Sequence, residues 1–280
     1  MSEHSDAIGE QPGRAKAKIA VAGVDIGAVT SKAVILLDGH VYASSQVATR
    51  TPKESASAVL NAVLDTSGLK LKDIRYVVAT GRGRSQVPIA TKTVSEIACA
   101  AAGAVHVWGP SVRTVLDGGG QSCRVIQCTE KGRVTDFLWN DKCAAGIGRS
   151  LETFADLVRK DMAEIGKTDP QPGPPLRLSD FCSVYAQSEA LDLIRSKVPT
   201  EQVIAAYHYA MAKRISTLAA RAGVRKNFVI IGGLAKNPGI TDRVESILNV
   251  GRLAPKAEWD PALTTALGSA LLAHAFCGDV

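Results

Sequence analysis

Two cysteines stand where helices begin. Asn140-Asp141-Lys142-Cys143-Ala144-Ala145-Gly146-Ile147-Gly148-Arg149 runs into a helix-like stretch at 150–158, and Ser179-Asp180-Phe181-Cys182-Ser183-Val184 runs into another. A helix N-terminus carries unsatisfied N–H groups and partial positive charge. That setting favours the thiolate, the form that binds metals. Three further stretches end apolar runs in glycine: Asp25-Ile26-Gly27, Asp117-Gly118-Gly119-Gly120-Gln121, and Gly232-Gly233-Leu234-Ala235-Lys236-Asn237. Glycine lets backbone N–H groups approach phosphate oxygens with no Cβ in the way. Thr30, Ser31 and Lys32 add hydroxyl donors and a cation, and Asp25 and Asp117 are placed to hold Mg²⁺ through its waters. A P-loop of the form G-x-x-x-x-G-K-[ST] is absent from the sequence.

The elements that must position these residues follow from the apolar pattern. Residues 18–27 read as a buried strand, 33–37 as a second strand, Asp38-Gly39 as a hairpin turn and 41–48 as a third strand. The chain therefore opens with a β-meander, which argues against a Rossmann unit. A helix at 53–67 is stopped by Gly68, a strand at 74–80 is closed by residues 81–84, and a helix follows at 95–105. The meander then recurs: strand at 114–116, glycine turn, strand at 125–128, turn at Lys131-Gly132, strand at 134–138. Two similar α/β lobes facing each other across a cleft is the economical reading of that duplication. Beyond the Cys143 segment come a Pro/Gly loop at 168–178, the Cys182 helix to about 197 and a long amphipathic helix at 200–223 with Thr200 as its N-cap. A strand at 227–231 and helices at 241–249 and 261–276 complete the chain. The expected divisions are a disordered tail at 1–18, a first lobe at 19–112, a second lobe with the cysteines at 113–265, and a C-terminal helix at 266–280 packing back between the lobes.

Bulk properties narrow the class. The 280 residues are 46% hydrophobic, enough for a sizeable core. The formal charge of +6 is spread along the chain, with no arginine-rich run carrying interleaved aromatics, so nucleic acid is not expected as a partner. The polar stretch 1–18 lacks the apolar run of a signal peptide. No apolar run approaches the roughly 20 residues of a membrane helix, so a cytoplasmic protein with no membrane partner is expected. Six cysteines in such a chain are not a disulfide framework. Cys99, Cys128 and Cys277 read as buried or incidental thiols and Cys123 as a strand residue. The five histidines show no metal-ligand spacing.

The glycine stretches resemble a known pattern. Residues 23–27 with Ser31-Lys32, 117–121, and 232–238 look like the two phosphate motifs and the adenosine motif of the sugar kinase and actin superfamily. Within it, residues 79–84, Ser95-Glu96, 140–149 and the Cys182 segment with Ser188-Glu189 resemble the BadF/BadG/BcrA/BcrD ATPase family. These are ATPase subunits of benzoyl-CoA reductase and activators of 2-hydroxyacyl-CoA dehydratases. The resemblance spans residues 19–276. It implies an actin-like (ribonuclease H-like) fold with an interlobe nucleotide cleft binding ATP/ADP and Mg²⁺. Gly27, Thr30, Ser31, Lys32, Gly118, Gly119, Gly120, Gly232, Gly233 and Asn237 would line it. Gly146, Arg149 and Glu152 would face nucleotide or interface, Asp25 and Asp117 would serve the metal, and Gln121 would position the attacking water. It further implies a [4Fe–4S] cluster shared between two chains, each giving Cys143 and Cys182. The partners would be a second identical or paralogous ATPase subunit, a CoA-thioester reductase or dehydratase, and a ferredoxin- or flavodoxin-type electron donor.

One departure qualifies this. The family's second phosphate motif usually reads Asp-Ile-Gly-Gly-Gln-Asp; here Ser122 stands in the final acidic position, removing a charge near the metal. That bears on hydrolysis rate rather than nucleotide binding, and it favours a specialised subunit on the benzoyl-CoA reductase side. Two other readings stand beside this one. A small-molecule kinase of the same superfamily would leave the cysteine segments without a role, and a non-hydrolysing nucleotide-binding scaffold subunit would suit Ser122.

Overall fold

A computed structural model describes residues 19–140, 146–167 and 176–278. The expectations for the tail at 1–18, for Cys143 and for most of the loop at 168–178 lie outside those residues. In chain order the strands are β1 (Ala20–Ile26), β2 (Thr30–Leu37), β3 (His40–Ala48), β4 (Tyr76–Gly81), β5 (Lys92–Thr93), β6 (Thr114–Gly118), β7 (Cys123–Cys128), β8 (Val134–Asn140) and β9 (Phe228–Ile231). The helices are α1 (Pro52–Ser67), α2 (Glu96–Trp108), α3 (Ile147–Val158), α4 (Met162–Lys167), α5 (Ser183–Arg195), α6 (Thr200–Ala222), α7 (Pro238–Leu248) and α8 (Thr264–Gly278).

The described residues form two compact units with divisions at 110/111 and 253/254, the segment from 254 onward belonging to the first. The sequence reading divides at 112/113 and 265/266. In the first unit the sheet order is β3-β2-β1-β4-β5, with β1–β3 an antiparallel meander and β4 parallel to β1. Helix α1 packs against β2 and β3, while α8 lies against β1, β2 and β4 and against α2. Coverage on both faces explains why every residue of β1 is buried and why its sequence is an unbroken apolar run apart from Asp25. Thr51 caps α1, accepting from the Glu54 N–H, Pro52 occupies the first turn, and Gly68 ends the helix in the left-handed region, as the sequence indicates.

The second unit repeats the plan. Its sheet order is β8-β7-β6-β9, again a meander followed by a strand parallel to the first. Its core gathers Leu116, Phe154, Ile165, Ile204, Tyr207 and Met211 between the sheet and the helices. Helix starts differ from expectation in several places, and α8 begins at Thr264 rather than 261, after a short 3-10 turn at 261–263. Helix α3 begins at Ile147 rather than 150. Helix α7 begins at Pro238 because Asn237 caps it and proline fits the first turn. Thr200 is the first helical residue of α6; Pro199 holds the cap position and supplies no side-chain bond. The short α4 had no expectation.

The stretch Pro261–Gly278 meets the length and hydropathy of a membrane-crossing helix, yet over half of it is buried. Its apolarity is that of a core helix. Helices α2 and α8 approach so closely that a Cβ on Gly268 would overlap the Cys99 carbonyl. Cys99 is fully buried and burial pushes its thiol up to about 12, so it stays protonated. Gly268→Val should therefore lower unfolding stability by about 3 kcal/mol, whereas Ala275→Val, on the exposed side of the same helix, should cost under about 1 kcal/mol. Urea unfolding of the two variants checks the difference.

Candidate functional site

In the first unit, β1 ends at Asp25-Ile26 and turns through Gly27 into β2. Asp25 stands opposite Lys32 in the antiparallel ladder. It is 7% exposed, and the Lys32 Nζ lies 3.7 Å from its Oδ2. Thr30 and Gly27 are half-buried at the turn. Ser31 faces inward, its hydroxyl 2.8 Å from that of Thr49.

The second unit holds the same arrangement in a tighter form. β6 ends at Asp117-Gly118, the turn closes with the Gly119 N–H donating to the Ser122 carbonyl at 2.9 Å, and β7 begins at Cys123. Asp117 stands opposite Arg124. The Arg124 Nη1 donates to Asp117 Oδ2 at 2.6 Å, and both side chains are 6% exposed. The Nη2 donates to Ser122 Oγ at 2.7 Å, and the Trp139 ring centroid is 5.2 Å from the guanidinium carbon. A charge-assisted bond so buried is strong but conditional: removing one partner alone leaves an uncompensated charge, a loss of about 3–5 kcal/mol. Asp117 Oδ1 lies beside Gly232, where an added Cβ would come within 3.0 Å of it. The strand-end turns of β6 and β9 thus meet at this carboxylate.

The cysteine segment is built onto the same turn. Gly146 precedes α3 with φ +57°. A Cβ there would overlap Gln121 and the Gly120 carbonyl, and would sit in a conformation L residues rarely adopt. The Arg149 N–H donates to the Gly120 carbonyl at 2.8 Å. The first turn of α3 is therefore seated on the glycine turn 118–121. The Arg149 side chain is half exposed and 3.6 Å from Glu152. Cys182 occupies the N-cap position of α5, partly exposed, with no capping bond from its side chain. Around it Phe181, Val184 and Tyr185 are 73%, 61% and 60% exposed. Helices α3 and α5 are tied together: the Gln187 side chain donates to the Ser150 carbonyl at 2.9 Å, as does the Tyr207 hydroxyl of α6 at 3.2 Å. The Tyr207 ring stacks on Phe154 at 3.8 Å.

Gly232 and the exposed Gly233 follow β9 and lead to Asn237. Asn237 accepts from the Ile240 N–H at 3.0 Å, so its amide NH₂ is the group that faces His208 Nε2 at 3.4 Å. The imidazole must then accept there, which requires the neutral ring. Burial, aided by Arg243, pushes the His208 pKa down to about 3. Cys123 and Cys128 are buried in β7, and burial pushes the Cys123 thiol up to about 12. Among the described residues, no three His, Cys, Asp or Glu side chains gather as a metal group. Arg124, Trp139 and Gln187 have no assigned role in the sequence reading, and His208 is read there only as one of five structural or exposed histidines. The signal for Arg124 was a cation seven residues beyond the strand-end aspartate in both meanders, Asp25 with Lys32 and Asp117 with Arg124.

A family model described as the BadF/BadG/BcrA/BcrD ATPase family matches residues 22–273. The chain belongs to this family. It is 38% identical over 252 residues to the 2-hydroxyisocaproyl-CoA dehydratase activator of Clostridioides difficile, covering 90% of this chain and 93% of that protein. It is 29% identical over 259 residues to one of the benzoyl-CoA reductase subunits of Thauera aromatica, covering 89% and 91%. The solved structure of the Clostridium difficile activator with bound ADPNP superposes with a TM-score of 0.87 at 36% identity, covering 93% and 96%. The fold alone is shared with a ROK family glucokinase from Streptomyces griseus, at a TM-score of 0.56 and 15% identity over 91% and 99% of the two chains. This family member therefore has the α/β fold of the actin-like ATPase and sugar kinase class.

His208 gives the site a pH signature. Between pH 6.5 and about 3 the unfolded chain binds a proton that the folded chain refuses. Stability should fall through that window, as the pH drops, by about 1.4 kcal/mol per unit from this residue. In His208→Asn that part of the slope should vanish. Urea midpoints of both proteins at pH 7, 6 and 5 check it.

Proposed function

We propose that this chain is an ATPase that drives low-potential electron transfer to a partner enzyme acting on a CoA thioester. Of the two partner classes, the identities of 38% and 29% favour a 2-hydroxyacyl-CoA dehydratase over benzoyl-CoA reductase. The observation that carries the reading is the seating of α3 on the glycine turn, with the Arg149 N–H on the Gly120 carbonyl at 2.8 Å. A turn that holds phosphate and a helix that follows a cysteine cannot move independently when they share that contact.

The residues fit ATP hydrolysis in named roles. The turns at Gly27 and at 118–120 offer N–H groups to phosphate, with Thr30 and Lys32 beside the first. Residues 232–237 hold the adenosine. Asp25 and Asp117 are buried carboxylates suited to hold the waters of Mg²⁺, which neutralises phosphate charge when bound. Gln121 orients the water that attacks the γ-phosphorus as the bond to the bridging oxygen breaks. Ser31, bonded to Thr49, shapes the turn. Catalysis of this kind asks for positioning and charge stabilisation, which neutral Gln121 and Ser122 can accommodate.

Cys182 fits a shared cluster: a partly exposed thiol at a helix start, ringed by exposed apolar side chains that a second chain would cover. Cys143 and Cys182 from each of two chains would complete four thiolates around a [4Fe–4S] cluster, which supplies a one-electron donor. The second chain is a copy of this one or a paralogue, the electron comes from a ferredoxin- or flavodoxin-type donor, and the setting is the cytoplasm.

Purified without oxygen, the protein should carry about two irons per chain, and Cys182→Ala and Cys143→Ala should each lose them. No iron in a folded, ADP-binding protein would overturn the homodimeric cluster. Separately, Gln121→Ala should slow ATP hydrolysis about 10²-fold while leaving ADP affinity within about threefold; hydrolysis assays with calorimetric ADP titrations check this.

A further inference from the structure

The two units place an aspartate opposite a cation at the end of their first strands, but they do not hold it alike. Lys32 stands 3.7 Å from Asp25, with side chains 12% and 10% exposed. Arg124 grips Asp117 at 2.6 Å with both 6% exposed. An ammonium is a point charge on a flexible stem, whereas a guanidinium is a planar fork that fixes two partners at once. The second prong of Arg124 reaches Ser122 Oγ at 2.7 Å, and Ser122 also closes the glycine turn through its carbonyl. Across the next ladder Arg124 faces Trp139, 41% exposed, whose ring lies 5.2 Å from the guanidinium carbon. Asp117, Arg124 and Trp139 thus form one row across β6, β7 and β8.

We infer that Arg124 is a positioning residue of the nucleotide site: it fixes which oxygen of Asp117 is presented to the waters of Mg²⁺, and Trp139 reports its state. Oδ2 is held by the guanidinium, so Oδ1, beside Gly232, is the oxygen left to the metal's waters. The tie to Ser122 makes the carboxylate and the phosphate-binding turn one rigid piece. Trp139 covers the guanidinium on the side away from Asp117 in the row, one residue before the stretch that leads to Cys143. This inference rests on the Mg²⁺–nucleotide reading above and adds a residue that the reading did not assign.

The test uses the full-length protein with ADP and Mg²⁺ as probes. Calorimetry gives ADP affinity with Mg²⁺ and with EDTA, and the ratio is the Mg²⁺ enhancement. Arg124→Lys keeps the charge but not the fork, and should cut the enhancement about tenfold while leaving ADP affinity in EDTA within about threefold. Arg124→Met should abolish the enhancement, as should Asp117→Asn, and the double variant should be no worse than Asp117→Asn alone. Tryptophan emission should change on adding MgADP to the wild type; that change should be absent in Trp139→Phe and reduced in Arg124→Lys. Circular dichroism confirms the fold of each variant, and Arg124→Lys decides the matter where Arg124→Met does not fold. Full enhancement and an unchanged emission response in Arg124→Lys would overturn the inference while leaving the nucleotide reading intact. A wild-type protein with no Mg²⁺ enhancement would overturn both.

Discussion

A backbone hydrogen bond, the Arg149 N–H on the Gly120 carbonyl, joins the glycine turn of the second unit to the helix that follows Cys143. Its geometry depends on what is missing: no Cβ at Gly146 or Gly148, where one would run into the turn's own backbone. An N–H at a helix start has no partner inside its helix. Here it is satisfied by the turn instead of by a side-chain cap, and Gly146 has no side chain to compete for it. The helix cannot shift along its axis without breaking that bond or dragging the turn with it. Packing then carries the constraint onward, because Ser150 offers its carbonyl to both Gln187 and Tyr207, and Tyr207 stacks on Phe154. Helices α3, α5 and α6 are therefore linked to the turn by one chain of contacts.

Charge is handled in a complementary way. The second unit buries an ion pair, and buried pairs are held for geometry more than for net stability, since desolvation offsets much of the attraction. Arg124 has a second bond to Ser122 and a ring over it, so its two terminal nitrogens are directed as well as paired. At Asn237 the same logic operates without charge. One amide oxygen caps α7, the amide nitrogen faces His208, and burial keeps the imidazole neutral so that it can accept. Both devices hold a side chain at a strand-end turn by using up the alternatives it would otherwise sample.

The outer surface differs in kind. Phe181, Val184 and Tyr185 surround Cys182 with exposed apolar area at the start of α5. Such clustering is uncommon on a surface that has no partner. The core cysteines show the contrast: Cys99 and Cys123 are buried, and burial holds both as thiols. Position in the fold, rather than residue type, separates these buried thiols from the partly exposed Cys182.

Much of the fold was legible in the order of residues. The two meanders, the aspartate-glycine strand ends and the Gly68 stop are local signals. A strand's apolar run, a hairpin's Asp38-Gly39 and a helix's terminal glycine each act within a few residues of themselves. The position of Asp25 and Asp117 at strand ends follows from those runs alone. The start of α7 was misplaced because Asn237 acts as a cap only once Pro238 is seen as a first helical residue, and Thr200 was over-read because a threonine near a helix start often caps but here falls one place too late. Tertiary structure alone decided what meets across the chain: Arg124 under Trp139, Gly146 against Gln121, Gln187 on Ser150, His208 on Asn237. These contacts depend on ladder register and on helix packing over tens of residues, and no local propensity encodes either.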